Sequence, residues 1–397
     1  MTYQQVDRFL KGHTKDIKPE VAPLLRDMET LACIIEKRRD KAGMLHLDLP
    51  EIEIILDESG RVVDAQPSDT SYPHTIIEMF MVEANEAVAA ILDRHNIPFM
   101  RRIHPEPDVL TMQKLSLLVR ALGLHLPRLP DRAALQQLLK AVKGTDSSLA
   151  INLVVLRSLE RARYSPLQIG HYALASPDSP GYSHFTSPIR RYADLLVHRA
   201  LDCCLRGTWH GLPARETPRH GQDGRATGMA VLPDNQELVE IGEHITFTEE
   251  RADDAENELK AVLILLMLAD KLGEELDCVV TGLTNFGIFV KSRKLGIEGL
   301  VQLTDLGPDQ WQYHADQGCV IGRHSGQLVC LGQPMKVRIV SVNVAARQLN
   351  VAPVVPVLAA GSHSLKEQPK SSAKGKRAKH GDRFAGRRKH GKGKRRR

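Results

Sequence analysis

The sequence has no C-x-x-C pair, and its longest apolar stretch is "AVLILLML" at residues 261–268. Cysteine occurs six times in 397 residues, at Cys33, Cys203, Cys204, Cys278, Cys319 and Cys330. So sparse a set excludes a disulfide framework and a structural zinc site, and it reads as reduced thiols in a cytoplasmic protein. The apolar stretch is flanked by charges and falls short of the roughly 20 residues that span a bilayer, so no membrane partner is expected. No signal peptide opens the chain; "MTYQQVDRFLKG" reads as the interior of a domain.

What is present suits a globular protein of two or three domains, with 42% hydrophobic and 26% charged residues. The net charge of +6 is unevenly placed. Residues 366–397 hold 15 Lys and Arg against Glu367 and Asp382, a local balance of +13, whereas residues 1–365 balance at −7. The tail, rich in Lys, Arg and Gly, is expected to be disordered and to hold polyanions in a salt-sensitive way.

Residues 1–160 read as mostly helical, broken near 44–65 by the strand candidates "IEIIL" and "RVVDAQ". "HTIIEMFMVEANEAVAAILDRHN" predicts a helix with Ile77, Met81, Ala84, Val88 and Ile91 on its apolar face. A second helix is expected after Glu106-Pro107, stopped by Gly123. The Gly- and Pro-rich stretch from Arg206 to about Gln236 predicts a long surface excursion. A long helix should follow, opened by a capping box from Thr246 to Glu249. After Gly273 the periodicity turns to alternation, as in a small β-barrel.

In "YSHFTSPIRRYADLLVHRAL", residues 182–201, Ser187 and Pro188 read as N-cap and first helical position, with Ile189, Ala193, Leu196 and Ala200 as the apolar stripe. Arg190 and Arg191 then occupy a first turn that disfavours cations by about 0.3–1 kcal/mol each. Two partners would make the placement sensible. One is Asp194, a turn on from Arg190; the other is a phosphate, since guanidinium forks beside a helix N-terminus form an anion site.

The same stretch, with "HTIIEMFMVEAN", "RIHPEPD" and "GEHITFTEERADDAE" in matching order and spacing, resembles the RNB catalytic domain of the RNase II and RNase R exoribonucleases. "VTGLTNFGIFVKS", "GLVQLTDL" and "GQPMKVRIVSVNVAARQLNVA" are similar to the S1-type OB fold, and the Lys-rich tail completes an RNase R-like order. The resemblance covers residues 1–353. It implies an α+β fold: an RNB domain, incomplete at its N-terminus, over 1–273, an all-β S1-type barrel over 274–354, and a tail over 355–397.

It further implies Mg2+-dependent, processive 3'-to-5' hydrolysis of single-stranded RNA to nucleoside 5'-monophosphates. On this resemblance Arg190 contacts the scissile phosphate and Arg191 is a backbone contact or structural charge. Glu78 lies near the terminal nucleotides, and Tyr3 packs against the last base. Leu47 stands where an aromatic clamp is usual, with His46 as its possible substitute. Phe286, Phe289 and Lys291 form the RNA-binding set of the barrel; in alternation Phe286 and Ile288 share one face and Phe289 takes the other.

The family holds Mg2+ with aspartates in a D-x(5)-D-x-D-D pattern located before the equivalent of Tyr3, and no such pattern occurs in this sequence. The cold-shock-type domains that precede the RNB domain are absent too. The chain is therefore expected to be the C-terminal part of such a nuclease, inactive alone and monomeric. The alternative is a non-catalytic module that binds RNA, or ribosomes through its tail. Glu250, Asp254 and Glu258 share a helical face that reads as solvated, and His171, His184 and His198 read as packing or RNA-facing residues. Half a catalytic core could also expose apolar surface and fold poorly.

Overall fold

A computed structural model describes residues 1–13, 17–207, 232–315 and 317–355 of the chain. The expected surface excursion and the polybasic tail lie almost wholly outside the described residues. Among the described residues, no helix is long and apolar enough to cross a membrane.

Local capping sets the first elements. Helix α1 (Tyr3–Leu10) opens with a capping box in which Thr2 Oγ1 accepts from the Gln5 N–H at 3.2 Å and the Gln5 side chain accepts from the Thr2 N–H at 2.9 Å. Helix α2 (Ala22–Ala42) ends on Gly43 at φ +95°, a left-handed turn that glycine adopts without strain. The strands expected at 44–65 form the antiparallel hairpin β1 (Ile52–Leu56) and β2 (Val62–Pro67).

Helix α3 (Tyr72–Arg94) forms where expected but buries a different face. The buried residues are Pro73, Ile76, Met79, Val82, Asn85, Val88, Ala89 and Leu92, while Ile91 is exposed. Apolar residues run around most of this helix, and the true core stripe is the one interrupted by Asn85. Helices α2 and α3 are clamped by Arg39, which is buried and bonds Glu83 at 2.8 Å and both carboxylate oxygens of Glu86 at 3.1 and 2.8 Å.

After β3 (Arg101–Ile103), helix α4 (Val109–Ala121) is capped by Asp108 and followed by Gly123 at φ +79°. With α5 (Arg132–Val142) and α6 (Ser148–Ser158) it encloses a core containing Leu115, Leu135, Leu139, Ile151 and Val155. Strand β4 (Arg163–Ser165) then pairs antiparallel with β3.

Two helix starts differ from expectation. Helix α7 (Tyr192–Leu205) begins four residues beyond Pro188, with Arg191 as its N-cap and Ile189 fully exposed. Pro188 to Arg190 form a turn instead, in which the Arg190 and Arg191 N–H groups both donate to Ser187 O, at 3.3 and 3.1 Å. Helix α8 (Asn235–Ala269) starts earlier than Thr246, on a capping box made by Asp234 and Glu237. Thr246 lies inside α8, where its hydroxyl donates to Gly242 O at 2.7 Å and accepts the Tyr164 N–H at 3.0 Å. At Gly242 a Cβ would stand 2.6 Å from Tyr164 O, so glycine lets α8 lie directly against β4.

Strands β5 (Glu275–Leu283), β6 (Gly287–Ser292) and β7 (Glu298–Gln302) are followed by β8 (Trp311–His314), β9 (Cys319–Gly322) and β10 (Leu328–Cys330), then β11 (Pro334–Asn343) and β12 (Gln348–Pro353). A closed barrel in the order β11-β12-β7-β6-β5 forms, and β8, β9 and β10 make a separate antiparallel sheet. Alternation directs Val280, Ile288, Val290, Val301, Val337 and Ile339 inward, as the pattern predicts. The C-terminal turns of α8, with Ile264, Leu265 and Leu268, belong to the same core.

Candidate nucleic-acid interface

One face of α3 organises the polar residues. His74, Glu78 and Asn85 are spaced by four and seven residues, so they align along about 16 Å of that helix. At its N-terminal end Tyr3 stacks on His74, with ring centroids 3.8 Å apart and an interplanar angle of 20°. Glu78, one turn on, is exposed. Tyr3 and Glu78, separated by 75 positions, are thus brought to neighbouring turns by the packing of α1 on α3.

At the other end of this face, Asn85 is buried and holds the segment that leads to the arginines. Its Nδ2 donates to the Tyr182 hydroxyl at 2.8 Å, its Oδ1 accepts the Phe185 N–H at 2.9 Å, and its carbonyl accepts from Ser183 Oγ at 3.4 Å. Phe185 stacks on His198 at 4.2 Å, and its carbonyl lies 2.9 Å from His198 Nε2. His198 is therefore a packing residue. The signal for Asn85 was present in the sequence, as an amide at a core position of an apolar helix.

Asp194 closes the turn that carries the arginines. It is fully buried and accepts the Ser187 N–H at 2.7 Å and Arg191 Nη2 at 2.8 Å. The expected pairing of Asp194 with Arg190 is replaced by pairing with Arg191, because the later helix start puts Arg191 at the N-cap. Arg190 is left exposed, and its guanidinium makes no hydrogen bond or ion pair among the described residues. Thr186 Oγ1, Arg191 Nε and Asp194 Oδ2 are buried beside it without partners among those residues.

Histidines line the inner side of this turn as neutral rings. Burial, with Arg191 and Arg102 nearby, pushes the His184 imidazole down to about 2, and its Nδ1 shares a 2.9 Å hydrogen bond with the Tyr164 hydroxyl. Burial, with His104 and Arg102 nearby, pushes His171 down to about 3; its ring meets His104 edge-on at 4.9 Å. Tyr164 is itself raised to about 12 by burial and lies under Arg102, whose Nη1 reaches Glu249 at 2.5 Å. Rings so tuned at neutral pH pack and accept hydrogen bonds; they do not carry charge.

The remaining expected residues lie apart. Segment 44–49 is anchored by the Leu45 N–H on Ala173 O at 2.8 Å and the Asp48 N–H on Asn152 Oδ1 at 2.8 Å. Leu47 packs partly buried against the core of α4, α5 and α6, whereas His46 is exposed. On the barrel, Phe286 precedes β6 in the turn and is 59% exposed, while Ile288 is fully buried; the two do not share a face. Phe286 and Phe289 instead meet edge to face at 6.1 Å on the outside of the barrel. Lys291 is half-buried opposite Glu298, and burial lowers its affinity for a proton.

No cluster of three or more His, Cys, Asp or Glu side chains that could hold a metal occurs among the described residues. Glu250 pairs with Arg161 at 3.4 Å and Glu258 with Arg347 at 2.5 Å, as expected of a solvated acidic face. The described residues offer no carboxylate cluster that fits a magnesium ion.

The RNB domain family matches residues 1–207. The chain is 34% identical to ribonuclease R of Thermotoga maritima over 344 residues, which is 86% of this chain and 46% of that protein. It therefore spans less than half the length of this relative. Mycoplasma genitalium RNase R in its apo form superposes with a TM-score of 0.75 at 26% identity, covering 89% of this chain and 53% of that one. The same enzyme in complex with ribose methylated single-stranded RNA gives a TM-score of 0.75 at 25% identity with the same coverage.

Proposed function

Since the chain belongs to the RNB domain family, we propose that it is the RNA-holding part of an exoribonuclease of the RNase R type. The complete enzyme would hydrolyse single-stranded RNA processively from its 3' end, in the cytoplasm, to nucleoside 5'-monophosphates. The observation that carries this reading is the free guanidinium of Arg190, presented on a turn that Asn85 and Asp194 lock from two sides.

Arg190 would contact the scissile phosphate and stabilise the charge that develops on its oxygens. Tyr3, already backed by His74, would pack against the terminal base, and Glu78 would face the last nucleotides. His46 takes the part of the missing aromatic clamp. Arg191, neutralised by Asp194, is structural. Residues 274–354 act as an S1-type domain in which Phe286 and Phe289 stack bases, and the basic tail adds salt-sensitive contacts to RNA or ribosomes. The division into residues 1–273, 274–354 and 355–397 follows from this reading.

Magnesium in this family supplies the activated water and steadies the leaving oxygen. Because the described residues offer no carboxylate cluster that fits it, no hydrolytic step is assigned to the chain alone. The isolated, monomeric chain is read as binding RNA without cutting it, and hydrolysis requires carboxylates from outside these residues.

The test is incubation of the purified chain with 5'-labelled single-stranded RNA, with Mg2+ or with chelator, beside an Arg190→Ala control. Retained binding without shortening is expected. Metal-dependent shortening from the 3' end that the control lacks would overturn the non-catalytic reading of this chain. Absence of RNA binding altogether would overturn the RNA-holding role.

A further inference from the structure

Cys319 and Cys330 stand directly opposite each other in the antiparallel pair β9–β10. The backbone bonds from Leu331 N–H to Gly318 O (3.3 Å) and from Gly322 N–H to Gln327 O (2.9 Å) fix the alternation along this pair. Positions 319 and 330 therefore form a non-hydrogen-bonded pair, and consistently the Cys330 N–H leaves the ladder to donate to Gln333 Oε1 at 3.2 Å. Such pairs hold their Cα atoms about 4.5 Å apart, within the range of about 4.4–6.8 Å that a disulfide spans. Neither cysteine is in a disulfide, and Cys319 Sγ lies 3.8 Å from Gln317 Oε1.

We propose that Cys319 and Cys330 are a redox modification site, closed to a cross-strand disulfide by a small-molecule disulfide oxidant. Cys330 is half-buried and Cys319 almost fully buried, so Cys330 reacts first. Its thiolate attacks one sulfur of the oxidant, breaking that S–S bond, releasing one small thiol and leaving a mixed disulfide on Cys330. The Cys319 thiolate then displaces the second small thiol and forms the protein S–S bond. The two protein thiols lose two protons and two electrons, and the oxidant takes up both. Burial raises the Cys330 thiol above its ordinary value, which makes the first step slow at neutral pH and faster as pH rises.

The position gives the bond a consequence. Gly318 approaches Leu118 of α4 so closely that a Cβ there would lie 2.5 Å from Leu118 Cδ1, and Leu331 packs with Ala150 of α6. The residues flanking both cysteines thus seat the β9–β10 hairpin on the helices. A cross-link at this place stiffens the junction between the hairpin and α4 and α6.

The test is oxidation of the full chain with oxidised glutathione over a range of oxidised-to-reduced ratios, followed by acid quench, alkylation, digestion and mass spectrometry. A peptide pair joined through Cys319 and Cys330, with two thiols fewer to alkylate and no such pair in Cys330→Ser, is expected. Amide exchange across residues 311–331 should slow several-fold in the oxidised chain. Full alkylation of both cysteines at every ratio, or a mixed disulfide that persists on Cys330, would overturn the site. Cross-linking without slower exchange would overturn the stiffening.

Discussion

The barrel and the turn at residues 182–194 solve burial in opposite ways. In the barrel the enclosed residues are almost all apolar, and the two buried hydroxyls have nearby partners, with Thr281 bonded to Glu298 at 2.9 Å and Ser292 accepting the Leu295 N–H at 3.2 Å. At the turn an amide and a carboxylate are buried beside two half-buried neutral histidines, and their partners come from segments up to about a hundred residues away. An apolar core needs only the right face and volume, whereas a buried polar group needs a specific partner at a specific atom. The difference places robustness in the barrel and positional precision around Arg190.

Breaking the turn should have the largest effect. Asp194→Ala leaves the Arg191 guanidinium and the Ser187 N–H without their partner, and a loss of about 3–5 kcal/mol in urea unfolding is expected. In the barrel, Ile288→Ala should cost about 2–5 kcal/mol through an apolar cavity alone, with no change in the pH dependence of stability.

That pH dependence sharpens the contrast. His184 and His171 stay neutral in the folded state down to about pH 2 and 3, but take a proton near pH 6.5 when unfolded. The unfolded chain therefore binds more protons below pH 6.5. Stability is full above that value and falls with falling pH by about 1.4 kcal/mol per unit for each histidine. Urea midpoints at pH 7 and pH 5 should show this, with a smaller difference in His184→Gln.

Smaller effects separate binding from folding. Phe286→Ala should weaken single-stranded RNA binding by about 1–3 kcal/mol while leaving stability within about 0.5 kcal/mol. Arg190→Ala should likewise leave thermal stability within about 0.5 kcal/mol, in contrast to Asp194→Ala, since its guanidinium has no partner among the described residues. A large loss of stability in Arg190→Ala would mean that the side chain is structural.

Much of this architecture could be read in advance, for local reasons. The hairpin at 52–67, the helix stopped at Gly123 and the barrel strands follow from alternation, helical period and turn residues, which act within a few positions. The motif around "TSPIRRY" likewise marked Arg190 and Arg191 as a pair with different fates, but its spacing offered Asp194 to Arg190, and the fold gives it to Arg191.

Residues far apart in the chain decided the rest. The buried face of α3 is the one bearing Asn85, because Tyr182 and Phe185 arrive from nearly a hundred positions away to satisfy its amide. Leu47 turns into the core of α4, α5 and α6 while His46 faces out, and, more locally, the start of α7 moves to Tyr192 because the Asp194 carboxylate reaches back seven positions to the Ser187 N–H. Period and propensity say which residues are apolar or can cap. They do not say which buried donor meets which acceptor, because that pairing depends on packing between segments whose order along the chain carries no distance.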